Sequence, residues 1–248
     1  IRDRPYKAAA KDKIKEILAQ YNLELLADSK LSEIWREVPF DMEKSQMDQA
    51  EKSIKLQDFR QCFVVPKAGN DIDTSKLELI LLEVAQQLEI FAEQQNQAAK
   101  QVGHNKPNFA VCSLSTKEIV YKGMLLPHEV NFFMDFDDED FCPENASLHI
   151  RQSTNARPSP PVSQPFRKVM HNGEFNSAPA NAYKMGLDVS GWSDTRVFNH
   201  ALETLLLEDD DVVKALVTLM PPIIAKDKSG HGIYGQEVDN VIDGLRAR

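Results

Sequence analysis

Residues 164–176 read QPFRKVMHNGEFN, and this stretch sets what kind of fold to expect. Phe166 to His171 reads as a strand turning at Asn172-Gly173, the dipeptide that two-residue hairpins favour because both central residues need positive φ. Upstream, Leu148 and Ile150 alternate with His149 and Arg151, a strand with one apolar face. The polar run Gln152-Ser153-Thr154-Asn155 follows it, and Pro158 to Pro161 forms a rigid loop. Asn108 to Leu114 and Glu118 to Lys122 read as two further strands, a hairpin joined at Ser115-Thr116-Lys117. Downstream, Gly191-Trp192-Ser193-Asp194 leads into helices over Thr195 to Leu207 and Asp211 to Met220, parted by the acidic step Glu208 to Asp210.

The N-terminal part has a different texture. Ala8 to Tyr21 sets Ile14, Ile17, Leu18 and Tyr21 on one face of a helix. Leu23 to Leu26 is a short strand. Asp41 to Asp58 is polar and reads as irregular. Cys62 to Val65 is a buried-strand run, stopped by Pro66 and Gly69. Thr74 to Gln97 is a long helix with Asp73 or Thr74 as its cap. Its stripe is Leu77, Ile80, Leu81, Val84, Leu88 and Phe91. Helices with few strands, then strands, then helices again predict a layered α+β or α/β domain. The expected organisation is one domain over 1-225, with a helical part at 1-100 and a motif-bearing part at 108-222. A polar tail follows at 226-248, and it includes Gly230-His231-Gly232.

Composition narrows the function classes. The 248 residues carry a formal net charge of -9, so no nucleic-acid partner is expected, because phosphate backbones require a basic face. No apolar run approaches the ~18 residues of a membrane span. Cys62, Cys112 and Cys142 are isolated and odd in number, which argues against a disulfide framework and points to a reducing, cytoplasmic setting. The histidines at 104, 128, 171, 200 and 231 show no paired spacing, so no metal site is expected. His149 is expected to orient a neighbour or pack at a strand edge. Asp135 to Asp140 (DFDDED) lacks the glycine at the sixth position of a calcium loop and reads as a solvated loop.

Four groups carry possible chemistry. Asn172 with the Gly173 N–H can aim two donors at one point, the anatomy of an oxyanion hole, where each donor contributes about 3 kcal/mol. An isolated Asn-Gly is more often a plain turn. The Arg151 fork suits a carboxylate, although an arginine taken alone more often forms a surface salt bridge. Thr154 either supports the same carboxylate or caps a turn. Asp194 either caps the following helix, the commoner role, or receives an ammonium group.

SLSTKEIVYKGML (Ser113 to Leu125), HIRQSTN (His149 to Asn155), SQPFRKVMHNGEFN and GWSD together resemble the glutaminase domain of glutamate synthase. ILAQYNLELL, WREVP and FRQCFVVP resemble its middle region more loosely, so the resemblance covers about residues 7 to 222. It implies a class II glutamine amidotransferase with an N-terminal-nucleophile hydrolase fold, a four-layer α/β/β/α sandwich. Arg151 would then bind the carboxylate of L-glutamine, with Thr154 in support. Asn172 and Gly173 would form the oxyanion hole, and Asp194 would hold the α-amino group. The nucleophile of that family is an N-terminal cysteine whose free amine is its base. Ammonia passes to a distant flavin and iron–sulfur domain, the oxidoreductase part of glutamate biosynthesis.

The chain departs from this pattern. It starts at Ile1, so the nucleophile and first strands are expected to be missing and the sandwich incomplete at its N-terminus. Gln152 replaces an aromatic, Ala180-Asn181 replaces Gly-Asn, and only nine residues separate Asn181 from Gly191. The expectation is therefore the glutamine-binding part of a glutaminase domain, completed by an N-terminal cysteine from further synthase sequence or a second chain. No cofactor is expected in this domain. The alternative is a non-catalytic homologue that binds glutamine or serves as a scaffold.

Overall fold

The computed structural model describes residues 5–26, 36–56, 59–101, 103, 109–150, 162–187, 189 and 192–219. The chain divides into two compact units, Ile1–Pro165 and Phe166–Arg248.

In the first unit, helix α1 (Pro5–Gln20) buries Ala10, Ile14, Ile17 and Leu18, the three- and four-residue spacing of one helical face. Strand β1 (Leu23–Leu25) pairs antiparallel with β4 (Val64–Pro66), Leu25 opposite Val64. Strands β2 (Arg36–Glu37) and β3 (Arg60–Gln61) form a second antiparallel pair. Helix α4 (Thr74–Gln101) begins where the Asp73 carboxylate accepts the Ser75 and Lys76 N–H groups at 3.0 and 3.3 Å. Leu81, Val84 and Leu88 of α4 close the first core against Ile14, Ile17, Leu18 and Leu23.

A second core joins Val38, Phe40, Met47, Leu56 and Phe133. Its rings meet edge to face, Phe40 and Phe133 at 5.5 Å and 84°, the arrangement that aromatic quadrupoles favour. The stretch read as irregular is ordered as helices over its described residues, 41–56. Asp41 and Asp48 accept the N–H groups of Lys44 and Glu51 and start two short helices, α2 (Met42–Ser45) and α3 (Gln49–Lys55). Two 3-10 turns, Pro127–Phe132 and Met134–Asp137, complete this core. The acidic run at 135–140 is thus partly a 3-10 turn, and Asp135 accepts the Tyr121 hydroxyl at 2.6 Å. Lys55 Nζ meets buried Glu129 at 2.5 Å. Burial raises the Glu129 carboxyl, but bonds from Lys55 and the Leu126 N–H outweigh it and hold the group below the usual glutamate range.

Four predicted strands do not form among the described residues. Residues 109–123 run without ladder pairing because side chains take their backbone groups. Asn96 brackets Phe109, donating to its carbonyl and accepting from its N–H, while Glu78 accepts the Thr116 N–H and both hydroxyls of Ser115 and Thr116. Residues 145–150 expose Leu148 and Ile150 by 61% and 62%, so the apolar face predicted there buries nothing in the structure. Phe166 to His171 forms a local turn, with the Phe166 N–H donating to the Val169 carbonyl, and Asn172-Gly173 is a bend. Asn172 is not among the residues of positive φ, so the two-residue hairpin turn is excluded.

The second unit is built on helix α5 (Ala178–Lys184), α6 (Asp194–Glu208) and α7 (Val212–Leu219). Ala178, Ala182 and Val197 form its core with Phe175, Leu187, Val189 and Trp192 around them. Ser177 and Asn181 of the α5 region donate to the Leu219 carbonyl at the end of α7. The molecule thus combines helices with two small antiparallel ladders, a mixed α and β architecture. No described helix is long and apolar enough to cross a membrane.

Candidate functional site

The site residues that lie in the second unit gather at the N-terminus of α6. Ser193 is the cap: its hydroxyl accepts the Arg196 N–H at 3.2 Å. Asp194 is therefore not the N-cap, and its carboxylate is spent elsewhere. One oxygen accepts the Thr195 N–H at 2.7 Å, and the other accepts the Phe175 N–H at 2.8 Å. The second bond reaches back into the His-Asn-Gly-Glu-Phe-Asn segment. The Asp194 side chain keeps 35% of its surface exposed, and the helix dipole further favours an anion there.

The same segment is tied down by rings. His171 stacks on Phe175 with centroids 4.0 Å apart, and Phe175 stacks on Phe198 of α6, also at 4.0 Å. His171 Nδ1 lies 3.1 Å from the Thr195 hydroxyl. One turn along α6 from Thr195, Asn199 accepts the Lys168 N–H at 2.9 Å, and two turns along, the Arg167 guanidinium grips Glu203 with two bonds of 2.8 and 2.6 Å. Glu203 is fully buried, a position a carboxylate holds only when paired and hydrogen-bonded. Arg196 lies over the Trp192 ring at 3.7 Å, a cation–π contact.

Of the predicted site residues, Asn172, Gly173 and Asp194 lie within this segment and helix end. Asn172 and Gly173 are both exposed, two to three residues from the Phe175 N–H that Asp194 holds. Arg151 and Thr154 lie outside the described residues, as do Gly191, the Pro158 to Pro161 loop and the tail at 226-248. Within that tail, Gly230-His231-Gly232-Ile233-Tyr234-Gly235 carries a G-x-G-x-x-G spacing, which by itself identifies nothing. Sequence reasoning missed Thr195, Arg167 and Glu203. The available signal was the row of polar residues, at 195, 196, 199, 200 and 203, on the helix that follows Gly191-Trp192-Ser193-Asp194.

Cys62 offers little nucleophilic chemistry. Burial pushes the Cys62 thiol up to about 11, leaving almost no thiolate at neutral pH. The exposed Cys142 donates its thiol to the Glu139 carbonyl.

Comparison with known proteins bears on this geometry. The family model of the class-II glutamine amidotransferases matches residues 2–233. The ferredoxin-dependent glutamate synthase of Antithamnion sp. is 34% identical over 196 residues, which cover 74% of this chain and 11% of that protein. The NADPH glutamate synthase large chain of Azospirillum brasilense is 44% identical over 80 residues, 32% of this chain and 5% of that one. The ferredoxin-dependent glutamate synthase 2 of Synechocystis sp. is 33% identical over 136 residues, 46% of this chain and 9% of that one. The chain thus corresponds to about a tenth or less of the length of these relatives.

Proposed function

Because the chain belongs to the class-II glutamine amidotransferases, we propose that it serves as the glutaminase part of a glutamate-synthase-type enzyme, hydrolysing L-glutamine to L-glutamate and ammonia. One observation carries this proposal. A single carboxylate, Asp194, anchors the segment bearing Asn172 and Gly173 while remaining partly open to a ligand. A bound amino acid needs an anion for its ammonium group and donors for its reacting carbonyl, and in this reading Asp194 and the Asn172-Gly173 pair take those roles.

In this mechanism Asp194 receives the α-ammonium group of glutamine, and Arg151, with Thr154 in support, pairs with the α-carboxylate. A cysteine with a free α-amine attacks the side-chain amide carbon, its own amine taking the thiol proton. Charge develops on the amide oxygen, where the Asn172 side chain and the Gly173 N–H donate to it. The C–N bond breaks as the nitrogen takes up the proton and leaves as ammonia. Water then cleaves the thioester, releasing glutamate and restoring the thiol. None of Cys62, Cys112 or Cys142 is assigned to the attack. An α/β/β/α sandwich, a cytoplasmic location, and ammonia transfer to flavin and iron–sulfur chemistry in other domains complete the proposal.

The test is ammonia release from L-glutamine by the full-length protein. Asp194→Asn is expected to raise KM by about 10- to 100-fold, since it removes a charge-assisted contact made equally in ground and transition states. Glutamine binding without ammonia release would favour the non-catalytic alternative. Neither binding nor release would contradict the glutaminase reading and leave only the scaffold role of the alternative.

A further inference from the structure

We propose that Thr195 is a positioning residue that links the amino-group carboxylate to the oxyanion turn through a relay of hydrogen bonds, His171 to Thr195 to Asp194. This rests on the glutaminase function proposed above. Thr195 is 1% exposed, so its hydroxyl must find its partners within the protein. Its Oγ1 lies 3.1 Å from His171 Nδ1 and 3.3 Å from Asp194 Oδ1. An ionised carboxylate only accepts, and a threonine hydroxyl has one proton. Both contacts are hydrogen bonds only when Thr195 donates to Asp194 and His171 donates from Nδ1 to Thr195. The opposite arrangement sets an oxygen lone pair of Thr195 against the Asp194 carboxylate.

The relay completes the restraint on His171. Stacking on Phe175, itself stacked on Phe198, fixes the plane of the imidazole but leaves it free to slide within that plane. The bond to Thr195 restrains it within that plane, alongside Asp194 Oδ2, which lies 3.8 Å from Nε2. Asn172 and Gly173 follow His171 immediately in the chain, and the Phe175 N–H bond to Asp194 closes the segment from its other side. The oxyanion donors are thereby held from both flanks by two consecutive residues of α6, Asp194 and Thr195. Misplaced oxyanion donors weaken binding of the transition state and not of the ground state, so loss of the relay lowers kcat and spares KM.

The experiment combines steady-state glutaminase kinetics of the full-length protein with long-range proton–nitrogen NMR of the His171 imidazole in this chain. Thr195→Val is expected to lower kcat about tenfold with KM within about twofold, and Thr195→Ser to restore kcat. NMR is expected to show the wild-type His171 protonated at Nδ1. A wild type that releases no ammonia removes the glutaminase function and the positioning role with it. Full activity in Thr195→Val, against an active wild type, overturns the positioning role alone. A proton on Nε2 and not Nδ1 overturns the relay even if the valine variant does not fold.

Discussion

Helices α4 and α6 bury their residues by opposite means. Among its described residues, α4 buries Leu81, Leu82, Val84, Ala85, Leu88, Ala92 and Ala99, with Asn96 as its one buried polar side chain. Helix α6 is about half as long, yet five of its ten buried residues are polar: Thr195, Arg196, Asn199, His200 and Glu203. An apolar stripe needs only another apolar surface, and area removed from water rewards it without regard to direction. A buried polar group needs a named partner at a fixed distance, and half-satisfied it is worse than an apolar one. Helix α4 is thus a scaffold tolerant of many neighbours. Helix α6 specifies the position of one segment, residues 166–176, and that segment carries the predicted oxyanion pair.

The sharpest way to break this comparison is Glu203→Ala, which removes the two charge-assisted bonds that Glu203 makes to the buried Arg167 guanidinium. The expected loss is about 3–5 kcal/mol in urea denaturation, largely recovered in a variant with both Arg167→Met and Glu203→Leu. A loss below 1 kcal/mol would show that the pair is not the anchor of the segment. Leu88→Ala in α4 is expected to cost about 2–4 kcal/mol, by lost transfer and a residual cavity, and to leave glutamine kinetics unchanged. A change in KM there would mean that scaffold and site are not separable in this way.

The smallest expected effect concerns Glu129, whose carboxyl sits below its ordinary value of 4.5. Its unfolded form binds a proton more readily than its folded form, so its contribution is present above that ordinary value and is lost as pH falls through the folded one. Glu129→Gln should lower the melting temperature by roughly 2–4 °C at neutral pH, with the difference from wild type shrinking on acidification towards pH ~3. A difference independent of pH would show that the ion pair with Lys55 does not set the acid limb.

The same contrast explains what was legible in the sequence. Helices α1 and α4 follow from their apolar periodicity, α6 and α7 were read on either side of the acidic step at 208–210, and β1 follows from its short apolar run. Among the described residues, the strands expected over 109–122, 148–150 and 166–171 do not form, because pattern reports side-chain polarity, not which group will satisfy each N–H. Glu78, Asn96 and Asn199 supply side-chain partners from distant positions, and no local spacing announces them. The caps Asp41 and Asp48 were readable as helix starts in a stretch taken as irregular. At the site, the motif nominated Asp194, Asn172 and Gly173 as candidates. The contacts between Thr195 and His171, and between Arg167 and Glu203, span 24 and 36 residues, beyond what periodicity can reach.

The most direct test of the central claim, that the start of α6 and the His171 to Asn176 segment form one glutamine-handling unit, is an amide NMR titration with L-glutamine. The Phe175 and Thr195 N–H groups, both bound to Asp194, should shift together and saturably with L-glutamine, and Asp194→Asn should abolish the response. Amides that stay unmoved at saturating L-glutamine, or that move unchanged in Asp194→Asn, would contradict it.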